Sequence, residues 1–135
     1  MDGLYKTDFY AWSRQVAASL RTGAVPASEL ENIAEEIESL GRSEHRELKH
    51  RLEVLLMHRL KWDRQPNLRS SSWENTIEIQ RNDIRDSLNE NPSLRREFEA
   101  VAKTAYKNAV LSASIETGLG KSTFPAEIPY DLNEL

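Results

Sequence analysis

The sequence predicts an all-α protein, an up-down helical bundle of four main helices with a long second helix and an extended C-terminal tail. Three observations carry this. No stretch alternates apolar and polar residues convincingly, so no sheet is expected. Apolar residues recur at spacings of three and four along four segments. Glycines and prolines fall between those segments, where helices stop and start. The chain has 135 residues, 39% hydrophobic and 30% charged, which suits one globular domain with a real core. A single helical domain over residues 1–135 is therefore expected.

The first helix is placed from Asp8 to Arg21, with Thr7 as cap, Phe9, Trp12, Val16 and Leu20 on its inner face, and Gly23 as terminator. Pro26 then breaks the chain. Ser28 and Glu31 have capping-box spacing and open the second helix. Its stripe is Leu30, Ile33, Ile37 and Leu40, resumes past Gly41 at Leu48, Leu52 and Leu55, and stops near Asp63 because Pro66 comes soon after. Unbroken, that helix is about 50 Å long at about 1.5 Å per residue. It either kinks near Gly41 or projects beyond its own bundle, and a projecting apolar stripe invites a second copy.

The third helix begins near Ser71, with a box to Glu74, and turns Trp73, Ile77, Ile84 and Leu88 inward. The fourth has Asn91 as cap and Pro92 at the first helical position, where a missing N–H costs nothing. Leu94, Phe98, Val101, Ala105 and Ala109 line its inner face, and the alanines imply a close helix–helix approach. Gly118 ends it. Phe124, Pro125, Ile128, Pro129 and Tyr130 then read as an extended tail pinned by apolar anchors.

The chain contains no cysteine, which excludes disulfides, thiolate metal sites and thiol nucleophiles. Val54 to Met57 is the longest aliphatic run, too short to span a bilayer. Met1 to Tyr10 has no apolar signal-peptide core. The net charge of −4 argues against general nucleic-acid affinity. A cytoplasmic location is expected, with no membrane partner and with a nucleic-acid partner not favoured.

Several catalytic motifs fail on inspection. Gly120-Lys121-Ser122 resembles the end of a phosphate-binding loop, but Ile115 stands where that motif needs a glycine, and the segment comes after a helix. Glu47 and His50 form one Glu-x-x-His pair where a di-iron bundle needs two, so a solvated ion pair is expected. No zinc-protease helix or nucleophile elbow occurs. Glu29, Glu31, Glu35, Glu36 and Glu38 at the start of the second helix, with Arg59, Lys61 and Arg64 at its end, suit the helix dipole. No metal or cofactor is expected, and the enzyme reading is not favoured.

Two constellations remain. Glu44, Arg51 and His58 stand seven apart inside the apolar stripe of the second helix and form a column. Buried charges need partners, so each must meet another helix, a second subunit or a ligand. His58 beside a carboxylate has the chemistry of a base near neutral pH. Glu116, just before Gly118, is a candidate partner, and Gln80 is another polar residue on an apolar face. An internal salt-bridge network or a polar seam at a dimer interface explains the same column. The second constellation is the turn after the second helix, with Lys61, Trp62, Gln65, Arg69 and Trp73. From Arg42 to Arg69 there are eight Lys or Arg against four acids. Arginines and a fresh helix N-terminus suit a phosphate or carboxylate, and tryptophans can stack a base. Core anchoring by Trp62 and Trp73, with serines capping the third helix, explains it more simply.

The order of segments resembles a bacterial family known only as domain of unknown function number 29. The resemblance is carried by Tyr5 to Trp12, Asn32 to Gly41, Leu55 to Trp62, Gln65-Pro66, Arg69, Ser72-Trp73, Ile77, Pro92 to Leu94, Glu116 to Leu119 and Phe124-Pro125. It covers nearly the whole chain, and the family's tail is expected to run on past Leu135. It implies an all-helical bacterial protein and supplies no activity or cofactor. Its motif positions fall on Glu36, His58, Lys61, Trp62, Arg69 and Trp73. The leading expectation is a non-catalytic interaction protein forming a homo-oligomer, with a protein partner also open. The alternatives are a small-ligand binder or enzyme using Glu36, Glu44, Arg51, His58 and Glu116, or nucleic-acid or phosphate binding through the basic turn.

Overall fold

A computed structural model describes residues 3–135. No strand occurs among them. The helices are α1 (Leu4–Thr7), α2 (Phe9–Thr22), α3 (Leu30–Arg64), α4 (Ser71–Glu90) and α5 (Phe98–Thr117), joined by short 3-10 turns. The four expected main helices are α2 to α5, and the protein is an all-α bundle. The short α1 was not expected. Met1 and Asp2, in the segment read for a leader, lie outside the described residues.

Local chemistry explains the boundaries and corrects some of them. Asp8, not Thr7, caps α2, accepting from the Ala11 amide at 3.0 Å. Thr7 instead closes α1, its hydroxyl donating to the Gly3 carbonyl at 2.8 Å. Gly23 ends α2 at φ 75°, the left-handed conformation that residues with a Cβ resist. The Ser28–Glu31 capping box is absent, because Ser28 lies inside a 3-10 turn over Ala27–Glu29 and lacks the extended cap conformation. α3 runs for 35 residues and stays helical through Gly41. The Ser70 hydroxyl caps α4, one residue before the expected start, accepting from the Trp73 amide at 3.3 Å. The Asn91 side chain does not cap the next turn; its amide nitrogen donates back to the Ser87 carbonyl at 3.2 Å. Pro92–Arg96 forms a 3-10 turn, and α5 begins only at Phe98.

The tertiary contacts gather the chain into two compact units that divide between Ser43 and Glu44, inside α3. The first unit holds α1, α2 and the start of α3. Trp12 and Val16 are buried in it, and the Tyr5 ring packs edge-on to Trp12 at 4.6 Å between centroids. Much of its expected inner face is bare. Phe9 is 50% exposed, Leu20 52%, Leu30 57%, Ile37 64% and Leu40 69%. Two long helices and one turn of helix cannot cover both sides of an apolar stripe, so only Ile33 of the early α3 stripe is half-buried.

The second unit, Glu44–Leu135, has its own core. Leu48, Leu52, Leu55, Leu56 and Leu60 of α3 are fully or almost fully buried against Ile77, Ile84 and Leu88 of α4 and a small-residue face of α5. Ala102, Ala105, Ala109 and Ala113 are all at 0% exposure, the close approach that their size permits. Phe124 anchors the tail, and the Tyr106 hydroxyl donates to the Pro125 carbonyl at 2.6 Å.

Denaturant unfolding should reproduce this division. Leu52→Ala is expected to cost about 2–5 kcal/mol, and Leu40→Ala, measured at a dilution that keeps the chain monomeric, less than about 0.5 kcal/mol. A Cβ at Gly41 would meet nothing within 4 Å, so Gly41→Ala should stabilise by about 0.5–1 kcal/mol. A loss at position 41 would mean that the helix is not continuous there.

Candidate functional site

The first unit is tied by two polar contacts that were not expected from the sequence. The Trp12 indole Nε1 donates to Glu29 Oε2 at 2.6 Å, and the Tyr5 hydroxyl donates to Glu36 Oε1. Asn32 Nδ2 adds a longer bond to Glu29 at 3.4 Å. Glu29 is the one buried charged residue among the described residues, 3% exposed. A carboxylate there is tolerable because its Oε2 accepts from two donors. A signal was present: Tyr5 and Trp12 stand seven apart, as do Glu29 and Glu36. The earlier aromatic meets the later acid, so the two segments run in opposed directions. Glu36, expected in a polar cluster, is therefore occupied by Tyr5. This hydrogen bond, then partial burial, then the charges of Glu36 and Glu35 push the Tyr5 phenol up to about 12.

In the second unit the expected column does not converge. Arg51 reaches Asp83 of α4 at 2.8 Å and also Glu47 on its own helix. His58 Nδ1 contacts the Val54 carbonyl at 2.8 Å, which makes that nitrogen the donor. Glu116 accepts from Lys61 Nζ at 3.2 Å and bonds neither Arg51 nor His58. Glu44 is exposed. The Glu47–His50 pair is also not made, since Glu47 turns to Arg51 and His50 lies 4.0 Å from Glu53. The physical reason is common to Arg51, His58, Glu116 and Glu47: a side chain satisfied along its own helix, or across one helix interface, is not free to gather at a centre. Asn108 Nδ2 donating to Glu53 at 2.8 Å ties α5 to α3 in the same manner.

The turn after α3 does come together, as a ladder of cations on rings. Arg69 lies 4.7 Å from the Trp62 centroid, and Lys61 4.6 Å from Trp73. Arg69 Nε also donates to the Trp62 carbonyl at 2.9 Å, and Gln65 is half-buried. Trp62 packs against the core. Each ring thus already has a cation on one face, which leaves less room for stacking a base. Arg59 lies over the Tyr130 ring at 4.2 Å, and the Tyr130 hydroxyl donates to Asp63 at 2.6 Å. Burial, helped by that bond and the Asp63 charge and opposed by Arg59, raises the Tyr130 phenol above its ordinary range. This pins the tail to the end of α3.

Beside this turn, α3 and α4 border a groove of about 570 Å³. Arg59, Trp62, Arg81, Asn82 and Arg85 line it together with acidic groups. Arg81 Nε and Gln80 Oε1 are buried without a hydrogen-bond partner. Among the described residues no group of three His, Asp or Glu is placed to hold a metal ion, and no helix is long and apolar enough to cross a membrane.

A spectrophotometric pH titration checks the Tyr5–Glu36 contact. Tyr5 should resist ionisation until about pH 12, because the neutral phenol donates to the carboxylate and the phenolate cannot; Tyr106 and Tyr130 are raised by burial and do not respond to Glu36. Glu36→Gln should bring that transition down toward the ordinary tyrosine range; an unchanged curve would rule the contact out.

No curated protein and no solved structure matches the chain. A family model, Domain of unknown function DUF29, matches residues 4–135. That span includes the Tyr5–Glu36 and Trp12–Glu29 ties, the cation-on-ring turn and the tail anchors, and the chain belongs to this family.

Proposed function

We propose that the chain is a bacterial, cytoplasmic, non-catalytic interaction protein that works through the apolar surface of its first unit, with helical surfaces as partners and another copy of the chain among them. One observation supports this above all. The stripe of α3 is 0% exposed at Leu48, Leu52 and Leu55, yet 64% exposed at Ile37 and 69% at Leu40. Bare apolar residues at helical spacing over several turns mark interaction surfaces. Glu36, Arg51, His58 and Glu116 each have a different partner and Glu44 is exposed, which supports this reading over the enzyme-like alternative. A cysteine-free chain suits a reducing compartment.

A photo-crosslinking amino acid at Ile37 is expected to give a covalent adduct in cells that make the protein. One at Glu127, exposed in the second unit, should give none. Absence of adducts at both Ile37 and Leu40 would sink this reading.

The α3–α4 groove supports a second reading, binding of a small oxyanion by Arg81 and Arg85. Thermal melting with and without inorganic phosphate tests it. A rise in the midpoint that Arg81→Ala abolishes would favour it, and no rise would remove it.

A further inference from the structure

The bare stripe calls for cover, and the charges beside it say what kind. Building on the interaction reading, on which it rests, we infer that the occupant is a second copy of this chain, with α2 of each copy lying antiparallel against the start of α3 of the other.

Charge selects the pairing. Between Phe9 and Thr22 there are two arginines and no acid; between Ala27 and Leu40 there are five glutamates and no Lys or Arg. Arg14 and Arg21 are seven apart and so share one edge of α2; Glu31 and Glu38 are likewise seven apart and share one edge of α3. All four are exposed. Among the described residues one ion pair involves them, a long one from Glu38 to Arg42 at 3.9 Å. Pairing α2 with α2, or α3 with α3, would set like charges on one another. Pairing α2 with the other copy's α3 sets two arginines against two glutamates, twice by symmetry.

Handedness selects the direction. At about 100° per residue, Arg14 and Arg21 lie roughly 100–140° round from Phe9 and Leu20, and Glu31 and Glu38 roughly 80–120° round from Leu30 and Ile37, in the same rotational sense. Two facing helices bring edges of the same sense together only when one is turned end over end. The charge ladders therefore meet in the antiparallel arrangement and not in the parallel one.

The exposed area is sufficient. Phe9, Leu20, Leu30, Ile37 and Leu40 are each at least half exposed. At roughly 100 Å² apiece, two copies supply about 1,000 Å², where specific interfaces begin.

Sedimentation velocity on the purified full-length chain tests this with two charge variants. One is Arg14→Glu/Arg21→Glu, the other Glu31→Lys/Glu38→Lys, each checked for native helix content by circular dichroism. The wild type is expected to be a dimer that weakens with added salt. Each variant should dimerise about tenfold more weakly, or worse, because every cross-copy pair becomes repulsive. An equimolar mixture of the two should recover the dimer, since only the mixed pair is complementary. A wild type that stays monomeric overturns the inference. So does a dimer indifferent to both variants and to salt. A monomer that still gives a photo-adduct at Ile37 with another protein sinks the second-copy partner and leaves the interaction reading standing; no adduct at all sinks both.

Discussion

A helix of 35 residues with one apolar stripe needs apolar cover along its whole length, and the organisation of this protein depends on how that need is met. From Leu48 to Leu60 the cover comes from α4, the alanine face of α5 and the Phe124 anchor. Alanines at 102, 105, 109 and 113 let the α5 backbone come close, so the leucines of α3 meet a dense surface instead of a gap. From Leu30 to Leu40 there is no such supply. The helix is the same kind of helix in both stretches; the number of elements available to pack on it differs.

Polar contacts divide along the same line. In the second unit they fasten helix to helix and tail to helix: Arg51 to Asp83, Lys61 to Glu116, Asn108 to Glu53 and Tyr130 to Asp63. Most are partly exposed, so their individual contributions to stability are small, and they serve mainly to fix which partner each side chain has. In the first unit two contacts, Trp12 to Glu29 and Tyr5 to Glu36, hold opposed segments in register where there is little core to do so. Glu29 is the instructive case. A buried carboxylate is costly by itself, and removing its indole donor would leave only the long Asn32 bond to offset that cost.

The interaction reading joins these halves. A surface that is left bare while the rest of the same stripe is sealed, and that has basic and acidic edges on neighbouring helices, has the ingredients of a self-complementary interface. The turn after α3 looks at first like the more chemical region, with its tryptophans, arginines and lysine. Its cations are already laid on its rings, so it reads as a reinforced corner that anchors the tail, with the adjacent Arg81 and Arg85 groove as the free surface.

The sequence by itself determined the helices. Periodicity placed all four long ones, Gly23 and Gly118 closed α2 and α5, and Pro66 marked the end of α3, because such signals act over a few residues of backbone, whereas Pro92 opened a 3-10 turn and not α5. The motif order was also enough to point to the family. Caps were less legible: Thr7, Ser28 and Asn91 each had the right side chain, but capping depends on one residue's backbone angles, which neighbouring turns set. Tertiary structure alone decided which side of each stripe is covered and which acid each base meets. Periodicity gives Ile37 and Leu52 the same inward face, and only the count of packing elements nearby buries one and bares the other. Spacing gave Glu44, Arg51 and His58 a common column, yet Arg51 found Asp83, thirty-two residues away, and His58 found its own helix's carbonyl. Pairings across helices depend on three-dimensional register, which no local pattern in the chain encodes.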